Sequence, residues 1–400
     1  MDRYIVISAD CHAGAELRAY KPYLESRYQD EFDDWAEHYV SPFGDLERPD
    51  ADRNWDGDKR THDLEGDGVV GEVIYPNTVP PFFPKSGLTA TCPSAEDFER
   101  RLAGLRAHNR WLAEFCAETP ERRAGVGQIL LNDDDEAVRD VHWIADHGLR
   151  GGVLLPGLPP GAGIAPLHAP DHDPVWRACE ERGVLIAAHG GSQSPDYGEY
   201  PASLSMWLME ASFFSHRVLW SLILSGVFDR FPDLRLVLAE QGSGWIAGAL
   251  GTMDQFQFAI EHGGIGELKF VEPQRLEHKP TDYWTRNCFV AASFLHRDDC
   301  ERRDRIGTEK IMWGSDYPHS EGTFPFSKEG IRKTFAGIDR SEVQAMLGGT
   351  AADVYGFDLA LLAPHAAKHG PPVDAVAAGL DAVPQGATSL AFAERVVGNV

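Results

Sequence analysis

The chain is short of positive charge and has no long hydrophobic run. It carries 37 Lys and Arg against 62 Asp and Glu in 400 residues, a formal net charge of −25. Such a negative field repels nucleic-acid backbones and anionic membrane surfaces, which excludes both as partners. No stretch reaches the roughly 18 apolar residues that a bilayer-spanning helix needs. The partner that remains is a small-molecule substrate.

Paired cysteines are also missing. The six cysteines are scattered and form no C-x-x-C pair, which excludes a disulfide framework and predicts reduced thiols. The N-terminal residues enter an apolar run at once, without the basic head of a signal peptide. We therefore expect a cytoplasmic protein.

Short runs rich in Val, Ile and Leu alternate with longer helical patterns, as in an α/β protein whose strands are buried on both faces. Eight such runs predict strands: Tyr4–Ser8, Gly71–Tyr75, Gly125–Leu130, Gly152–Leu155, Val184–Ala188, Leu234–Ala239, Cys288–Ala291 and Ile311–Trp313. A doubly wound sheet shares this alternation, but eight repeats over some 350 residues favour a distorted (β/α)₈ TIM barrel.

Three segments follow from this assignment. The barrel domain spans residues 1–360. Within it, residues 14–68 are rich in Asp, Pro and aromatic residues, which predicts a cap-like insertion after strand 1. From residue 361 to 400 the composition shifts to Ala, Gly, Pro and Val, and we interpret this C-terminal tail as an extension that docks on a neighbouring subunit.

Side chains of metal-ligand type follow the first, fifth, sixth and eighth predicted strands: Asp10 with His12, His189, Glu240, and Asp316 with His319. Barrel active sites lie at the C-terminal ends of the strands, so these groups would converge. Each has an ordinary explanation alone, as a buried histidine, a turn residue or an ion-pair partner. Their joint placement predicts a divalent metal site.

Several motifs resemble the amidohydrolase superfamily, in particular the branch that includes aminocarboxymuconate-semialdehyde decarboxylase. They are Asn109-Arg110-Trp111-Leu112, Gly148-Leu149-Arg150-Gly151-Gly152, Asp173-Pro174-Val175-Trp176, Leu224-Ser225-Gly226-Val227-Phe228 and Trp313-Gly314-Ser315-Asp316-Tyr317-Pro318-His319. The resemblance runs from Tyr4 to about Phe357. It implies a metal-dependent TIM barrel, often dimeric, with Asp10, His12, His189 and Asp316 as ligands.

Two departures from that pattern shape the functional prediction. On strand 1, the first ligand position of the family pattern holds either histidine or an acid, and here it holds the acid Asp10. Strand 6 ends in Glu240, where many relatives carry histidine. The fourth strand offers no lysine to carbamylate as a bridge, so one ion is the default, with a second reachable through Glu240. Zinc is our first choice, with iron or manganese as alternatives.

These groups predict a metal-dependent hydrolase acting on an ester, thioester, amide or lactone of a mid-sized organic acid. A divalent metal lowers the pKa of bound water to about 7, and Asp316 would accept its proton. Asp316, Glu240 or His319 would protonate the leaving group, and Glu240 would need a raised pKa for this role.

Other functions stay open. The first alternative is a non-oxidative decarboxylase or a hydratase of an aromatic or unsaturated acid, and the second is a non-catalytic metal-binding scaffold. Arg217 and Trp245 are candidate substrate-binding residues, since Arg217 can meet a carboxylate bidentately and Trp245 can line an apolar pocket. An ion pair with an acidic residue of the same protein explains Arg217 at least as well.

Overall fold

The computed structural model describes residues 2–41, 44–77, 79–84, 92–263, 267 and 275–393. Within them lie eight β-strands: β1 Ile7–Ala13, β2 Gly71–Pro76, β3 Arg123–Gln128, β4 Gly152–Leu154, β5 Ile186–His189, β6 Leu236–Ala239, β7 Cys288–Ser293 and β8 Ile311–Gly314. All neighbouring pairs are parallel, in the order β1 to β8.

The sheet closes nearly into a barrel because β1 and the segment after β8 exchange backbone hydrogen bonds. The Asp316 amide donates to the Asp10 carbonyl at 2.9 Å, and the His12 amide donates to the Tyr317 carbonyl at 2.6 Å. The strands are almost wholly buried, as their apolar runs predict for parallel strands covered on both faces. The prediction of a (β/α)₈ barrel is confirmed.

Helices connect the strands and cover the outside of the barrel: α1 Gln29–His38, α2 Gly57–Asp67, α3 Phe98–Ala117, α4 Asp134–Asp146, α5 Asp173–Arg182, α6 Ser203–Leu224, α7 Val227–Arg230, α8 Ile246–Glu261, α9 Pro280–Asn287, α10 Arg297–Glu301, α11 Ser327–Phe335, α12 Arg340–Gln344, α13 Thr350–Tyr355, α14 Leu359–His369 and α15 Val373–Ala378. Local sequence fixes several helix starts. Asp133, for instance, caps α4 by accepting a hydrogen bond from the Glu136 amide.

Strand β1 lies further along the chain than the predicted Tyr4–Ser8. It spans Ile7–Ala13, so Asp10 and His12 lie inside it. Its register against β2 shifts between Ser8 and Cys11, which marks a bulge, a common feature beside active sites. The apolar run alone could not show that pairing continues through two ionisable residues.

The predicted cap and tail both pack on the barrel. In the cap, residues 14–68, α2 is tied to β2 by the buried Arg60–Glu72 ion pair at 2.6 Å. The described part of the tail contacts the same chain, where Leu362 and Ala366 join the core beside Ile7. Residues 42 and 43 of the cap and 394–400 of the tail lie outside the described residues.

Among the described residues, none of the helices combines the length and apolarity required to cross a membrane.

Candidate metal centre

Two overlapping groups of ligand-type side chains lie at the C-terminal mouth of the barrel. Asp10, His12 and His189 place one ligand atom each within 4.8 Å of one another, and so do His12, Asp316 and His319. The two groups share His12, which therefore lies at the centre. Strands β1, β5 and the segment after β8 thus bring together all four predicted ligands and His319, one of the predicted catalytic residues.

One ring nitrogen of His12 faces the cluster, because the other is hydrogen-bonded to a backbone carbonyl. Its Nδ1 lies 3.2 Å from the Pro76 carbonyl oxygen, which can only accept a hydrogen bond and so fixes the proton on Nδ1. The Nε2 lone pair then faces Asp316 Oδ1 at 3.2 Å and Asp10 Oδ1 at 3.5 Å. A carbonyl that holds a histidine in this tautomer is typical of metal-ligating histidines.

Asp10 is oriented by a serine of the neighbouring strand. Ser293 Oγ at the end of β7 donates to Asp10 Oδ2 at 2.5 Å, which leaves Oδ1 to face His189 Nε2 at 3.3 Å. The space for this contact depends on Gly314, since a Cβ there would lie 2.6 Å from Ser293 Oγ and 2.8 Å from Asp10 Cβ.

Asp316 follows β8 in left-handed backbone, with φ of 60°. This conformation is unusual for a residue with a side chain and occurs at functional sites. Its side chain has no exposed surface, and Oδ1 lies 3.3 Å from His319 Nδ1. His319 is held in turn through Nε2, 2.8 Å from Asn77 Oδ1.

The charges of the cluster favour a cation. Burial alone would lower the pKa of His12, but Asp10 and Asp316 outweigh it and raise that pKa well above its usual value. Burial would raise the pKa of Asp10, but His189 and His12 outweigh it and hold that pKa below its usual range. The two carboxylates thus stay ionised and stabilise positive charge between them.

Glu240 follows β6, also in left-handed backbone, with φ of 54°. Its Oε2 lies 3.4 Å from His189 Nδ1. The close approach requires Gly190, because a Cβ at that position would lie 2.7 Å from Glu240 Oε2. Burial raises the pKa of Glu240 to about 7, with Asp316 and Asp10 adding to the effect and His189 opposing it.

The residues present fit a divalent cation. His12 Nε2 and both carboxylate oxygens of Asp316 are buried and have no hydrogen-bond partner among the described residues. Without a cation these atoms lose their hydration on burial, and only a proton on His12 offsets the negative charge of the two carboxylates. A bound cation would satisfy all three, and nitrogen and carboxylate oxygen suit zinc, iron or manganese.

Of the candidate substrate-binding residues, Arg217 lies on α6 and Trp245 directly precedes α8. The Trp245 ring stacks on the His216 ring with centroids 3.6 Å apart, and its Nε1 donates to the Gln241 carbonyl at 2.8 Å. The Arg217 guanidinium lies 5.8 Å from the Phe214 ring centroid of its own helix. The predicted contact of Arg217 and Trp245 with substrate stays a prediction.

Sequence reasoning missed Ser293 and Asn77, which orient Asp10 and His319. Both stand at a strand end, Ser293 as the last residue of β7 and Asn77 directly after β2. Searching every strand end for polar side chains of any type, and not only for metal ligands, would have found them.

A nearly closed parallel barrel with carboxylates and imidazoles at its C-terminal mouth defines a class of metal-dependent enzymes. Residues 50–357 match the amidohydrolase family. The chain belongs to that family and is an enzyme of the amidohydrolase superfamily.

Similar proteins include 2-amino-3-carboxymuconate-6-semialdehyde decarboxylase of Dictyostelium discoideum, 25% identical over 317 residues that cover 76% of this chain and 77% of that one. Gamma-resorcylate decarboxylase of Rhodococcus jostii (strain RHA1) is 27% identical over 55% of this chain and 68% of its own. Among solved structures, 5-carboxyvanillate decarboxylase of Novosphingobium aromaticivorans with bound manganese has a TM-score of 0.68 at 17% identity, covering 88% of this chain and 97% of that one.

These comparisons correct the functional prediction. Hydrolysis was the expected activity because Glu240 replaces the histidine of strand 6, yet the similar proteins are decarboxylases. The hydrolase prediction is wrong. The prediction gave the single change at Glu240 more importance than the resemblance to a decarboxylase branch, which runs along most of the chain.

Proposed function

We propose that this enzyme is a metal-dependent, non-oxidative decarboxylase of an aromatic or unsaturated carboxylic acid. The observation that carries the proposal is the buried cluster of Asp10, His12, His189 and Asp316, in a chain whose relatives are named as decarboxylases of such acids. The reaction replaces the bond from carbon to the carboxylate by a bond to hydrogen and releases CO₂.

Asp10, His12, His189 and Asp316 would hold the cation. When bound, a divalent metal supplies positive charge that binds anionic substrate oxygens and stabilises the negative charge that develops as CO₂ leaves. We place manganese ahead of zinc, because the similar carboxyvanillate decarboxylase contains manganese. One ion per chain is the default, since Glu240 does not belong to either compact ligand group.

The chain itself must exclude water and hold a proton near the reacting carbon. The side chains of Asp10 and Asp316 are unexposed, whereas those of Glu240 and His319 are each 22% exposed. A substrate entering the mouth therefore meets Glu240 and His319 first. We assign Glu240 as the residue that holds the proton delivered to carbon, and His319 as the residue that positions the substrate.

The test is product analysis with manganese-loaded protein in D₂O. We expect gamma-resorcylate, 5-carboxyvanillate or aminocarboxymuconate semialdehyde to release CO₂ and to gain one deuterium at the carbon that carried the carboxylate. Turnover that forms a new carboxylate without CO₂ would refute decarboxylation.

Two variants separate the roles of the metal ligands from that of Glu240. Asp316→Ala should lose manganese and turnover together, because it removes both carboxylate oxygens of a ligand. Glu240→Gln should keep about one manganese per chain and lose most of its turnover. If Glu240→Gln turns over at the wild-type rate with unchanged metal content, Glu240 does not deliver the proton.

A further inference from the structure

Two hydrogen-bonded asparagines, the asparagine relay, link the cap to the metal centre. Asn54 ends a 3₁₀ turn of the cap, Ala51–Asn54, and Asn77 directly follows β2. Asn77 Nδ2 donates to Asn54 Oδ1 at 2.5 Å, and Asn77 Oδ1 lies 2.8 Å from His319 Nε2. Asn54 is only 2% exposed, so its amide has to find its partners within the protein.

The direction of these hydrogen bonds is fixed at the cap end of the relay. Asn54 Nδ2 donates to the Ala51 carbonyl at 2.9 Å, and a carbonyl oxygen can only accept. Asn54 therefore turns its own side-chain oxygen towards Asn77, which must donate with its Nδ2 group. Asn77 then presents its oxygen to His319, and this contact requires a proton on His319 Nε2. A backbone carbonyl of the cap thus determines which nitrogen of the neutral imidazole carries the proton.

Backbone hydrogen bonds hold both asparagines at the end of β1. The Asn77 amide donates to the Ala13 carbonyl at 3.0 Å, and the Asn54 carbonyl accepts from the Gly14 amide at 3.2 Å. Ala13 is the last residue of β1, the strand that carries two of the metal ligands. The relay is therefore built on the same strand as the metal centre, and its hydrogen bonds cannot reverse without breaking the bond to the cap carbonyl.

The relay leaves Nδ1 of His319 as a hydrogen-bond acceptor. When the proton of the neutral ring is on Nε2, Nδ1 keeps its lone pair. Nδ1 lies 3.3 Å from Asp316 Oδ1, a carboxylate oxygen that is also an acceptor. The His319 ring stacks on the His12 ring with centroids 4.2 Å apart, which holds its plane. The imidazole thus presents one acceptor atom in a fixed direction.

The His319 ring lines a cavity that a substrate can enter. This cavity has a volume of about 240 Å³ and lies between the cap and the segment after β8, with Asn54, Pro318 and His319 in its wall. Because Nε2 is bound to Asn77, Nδ1 is the ring nitrogen left for a bound molecule. An acceptor beside the Asp316 carboxylate attracts a group that brings a hydrogen and repels an anionic oxygen.

We propose that Asn54 and Asn77 are positioning residues that keep His319 in its Nε2–H tautomer, so that Nδ1 accepts a hydrogen bond from a hydroxyl or amino group of the substrate. The tautomer follows from contacts within the chain, whereas the contact with substrate rests on the proposed function, in which His319 positions the substrate. The substrate is then an acid that carries a hydrogen-bond donor besides its carboxylate. A site built for such a donor discriminates against an analogue that lacks it.

Nitrogen-15 NMR of the histidine rings reads the tautomer without any turnover, on zinc-loaded protein because zinc is diamagnetic. His319→Gln identifies the His319 signals by their loss. We expect Nε2–H in wild type and in Asn132→Leu, and loss of this single tautomer in Asn77→Leu and Asn54→Leu. Asn132 is the matched control, since it is also half-buried and donates to a backbone carbonyl, that of Pro93. A proton or a metal on Nδ1 in wild type, or an unchanged tautomer in both relay variants, would overturn the proposal.

Two probes that differ in one hydrogen-bond donor, 2-hydroxybenzoate and 2-methoxybenzoate, test the contact with substrate by calorimetric titration. We expect wild type and Asn132→Leu to bind the hydroxyl probe about tenfold more tightly than the methoxy probe. Asn77→Leu should lose this preference and keep its affinity for the methoxy probe, whereas a merely structural defect would weaken both.

Equal affinity of wild type for the two probes would show that Nδ1 accepts no hydrogen bond from substrate. If neither probe binds, the aromatic substrate of the proposed function is refuted, and the tautomer measured by NMR still decides the role of the relay. Circular dichroism of all variants checks that the fold is retained.

Discussion

The two carboxylate oxygens of Asp10 have different partners. Oδ2 accepts a hydrogen bond from the Ser293 hydroxyl, and Oδ1 faces His189 Nε2 and His12 Nε2. Without that hydroxyl the carboxylate could rotate about its χ2 angle and withdraw Oδ1 from the cluster. A residue that touches no metal itself can therefore set the affinity of the site.

We expect Ser293→Ala to weaken manganese binding by about 10–100-fold, the usual loss when a group that orients a ligand is removed. Equilibrium dialysis with metal analysis measures this directly. Ser327→Ala is the control, since Ser327, the first residue of α11, is also buried but pairs with Thr323, which precedes that helix. Equal metal affinity of Ser293→Ala and wild type would show that Asp10 needs no such support.

His108 on α3 is buried without charge. It lies between Tyr20 and Trp111, with ring centroids 5.7 and 5.9 Å away, and burial lowers its pKa to about 3. In the unfolded chain an ordinary histidine has a pKa of about 6.5. Below that pH the unfolded chain gains a proton that the folded chain does not, so stability falls as the pH drops from about 6.5 towards 3.

Replacing His108 by Phe removes this proton uptake. We expect the free energy of unfolding of His108→Phe, relative to wild type, to rise by up to about 2 kcal/mol between pH 7 and pH 5. Urea unfolding at a series of pH values measures it. A flat difference for His108→Phe would mean that His108 takes up its proton in the folded protein as it does in the unfolded chain.

At the scale of elements, sequence patterns predicted the eight strands but not their ends. Apolar runs locate a buried strand, whereas its end depends on pairing with a neighbour. Hence β1 extends through Asp10 and His12, and β7 reaches Ser293, two residues beyond the predicted end. The predicted ligands were found because metal ligands are recognisable by residue type. The groups that hold them, Ser293 and the Pro76 carbonyl, have no distinctive type.

The contact between cap and barrel also depends on residues far apart in sequence. Arg60 of α2 is fully buried, donates to both oxygens of Glu72 on β2, and reaches the His12 carbonyl at 2.7 Å. Nothing in either local sequence indicates that these two side chains meet. The pair links the cap to the strand that carries His12.

Breaking that pair from one side should be costly. Arg60→Met leaves the Glu72 carboxylate buried without its main partner, and we expect a loss of about 3–5 kcal/mol in the free energy of unfolding. The double variant Arg60→Met/Glu72→Met should recover most of the loss, because no buried charge remains unpaired. Urea denaturation of both single variants and the double variant measures the coupling. Additive losses would show that the two charges do not stabilise each other.

At the scale of the whole molecule, acidic residues outnumber basic ones by 62 to 37. Even if every Lys and Arg paired with a carboxylate, 25 acidic groups would remain. In the Arg60–Glu72 pair, a buried positive charge is neutralised by a buried carboxylate. The unpaired carboxylates belong on the surface, where water stabilises their charge. That excess repels itself in the compact state and opposes association between copies.

Salt should therefore stabilise this protein at neutral pH. Raising NaCl from 20 to 300 mM screens repulsion between surface carboxylates over distances beyond about 6 Å, and we expect Tm to rise by about 1–3 °C. Differential scanning calorimetry at one protein concentration measures the change. Near pH 5.0, close to the isoelectric point, the net charge is small and the rise should disappear. A fall of Tm with salt at pH 7 would instead mean that attractive surface pairs such as Arg230–Asp173 outweigh the repulsion, and that the acidic excess is spaced widely enough to cost little stability.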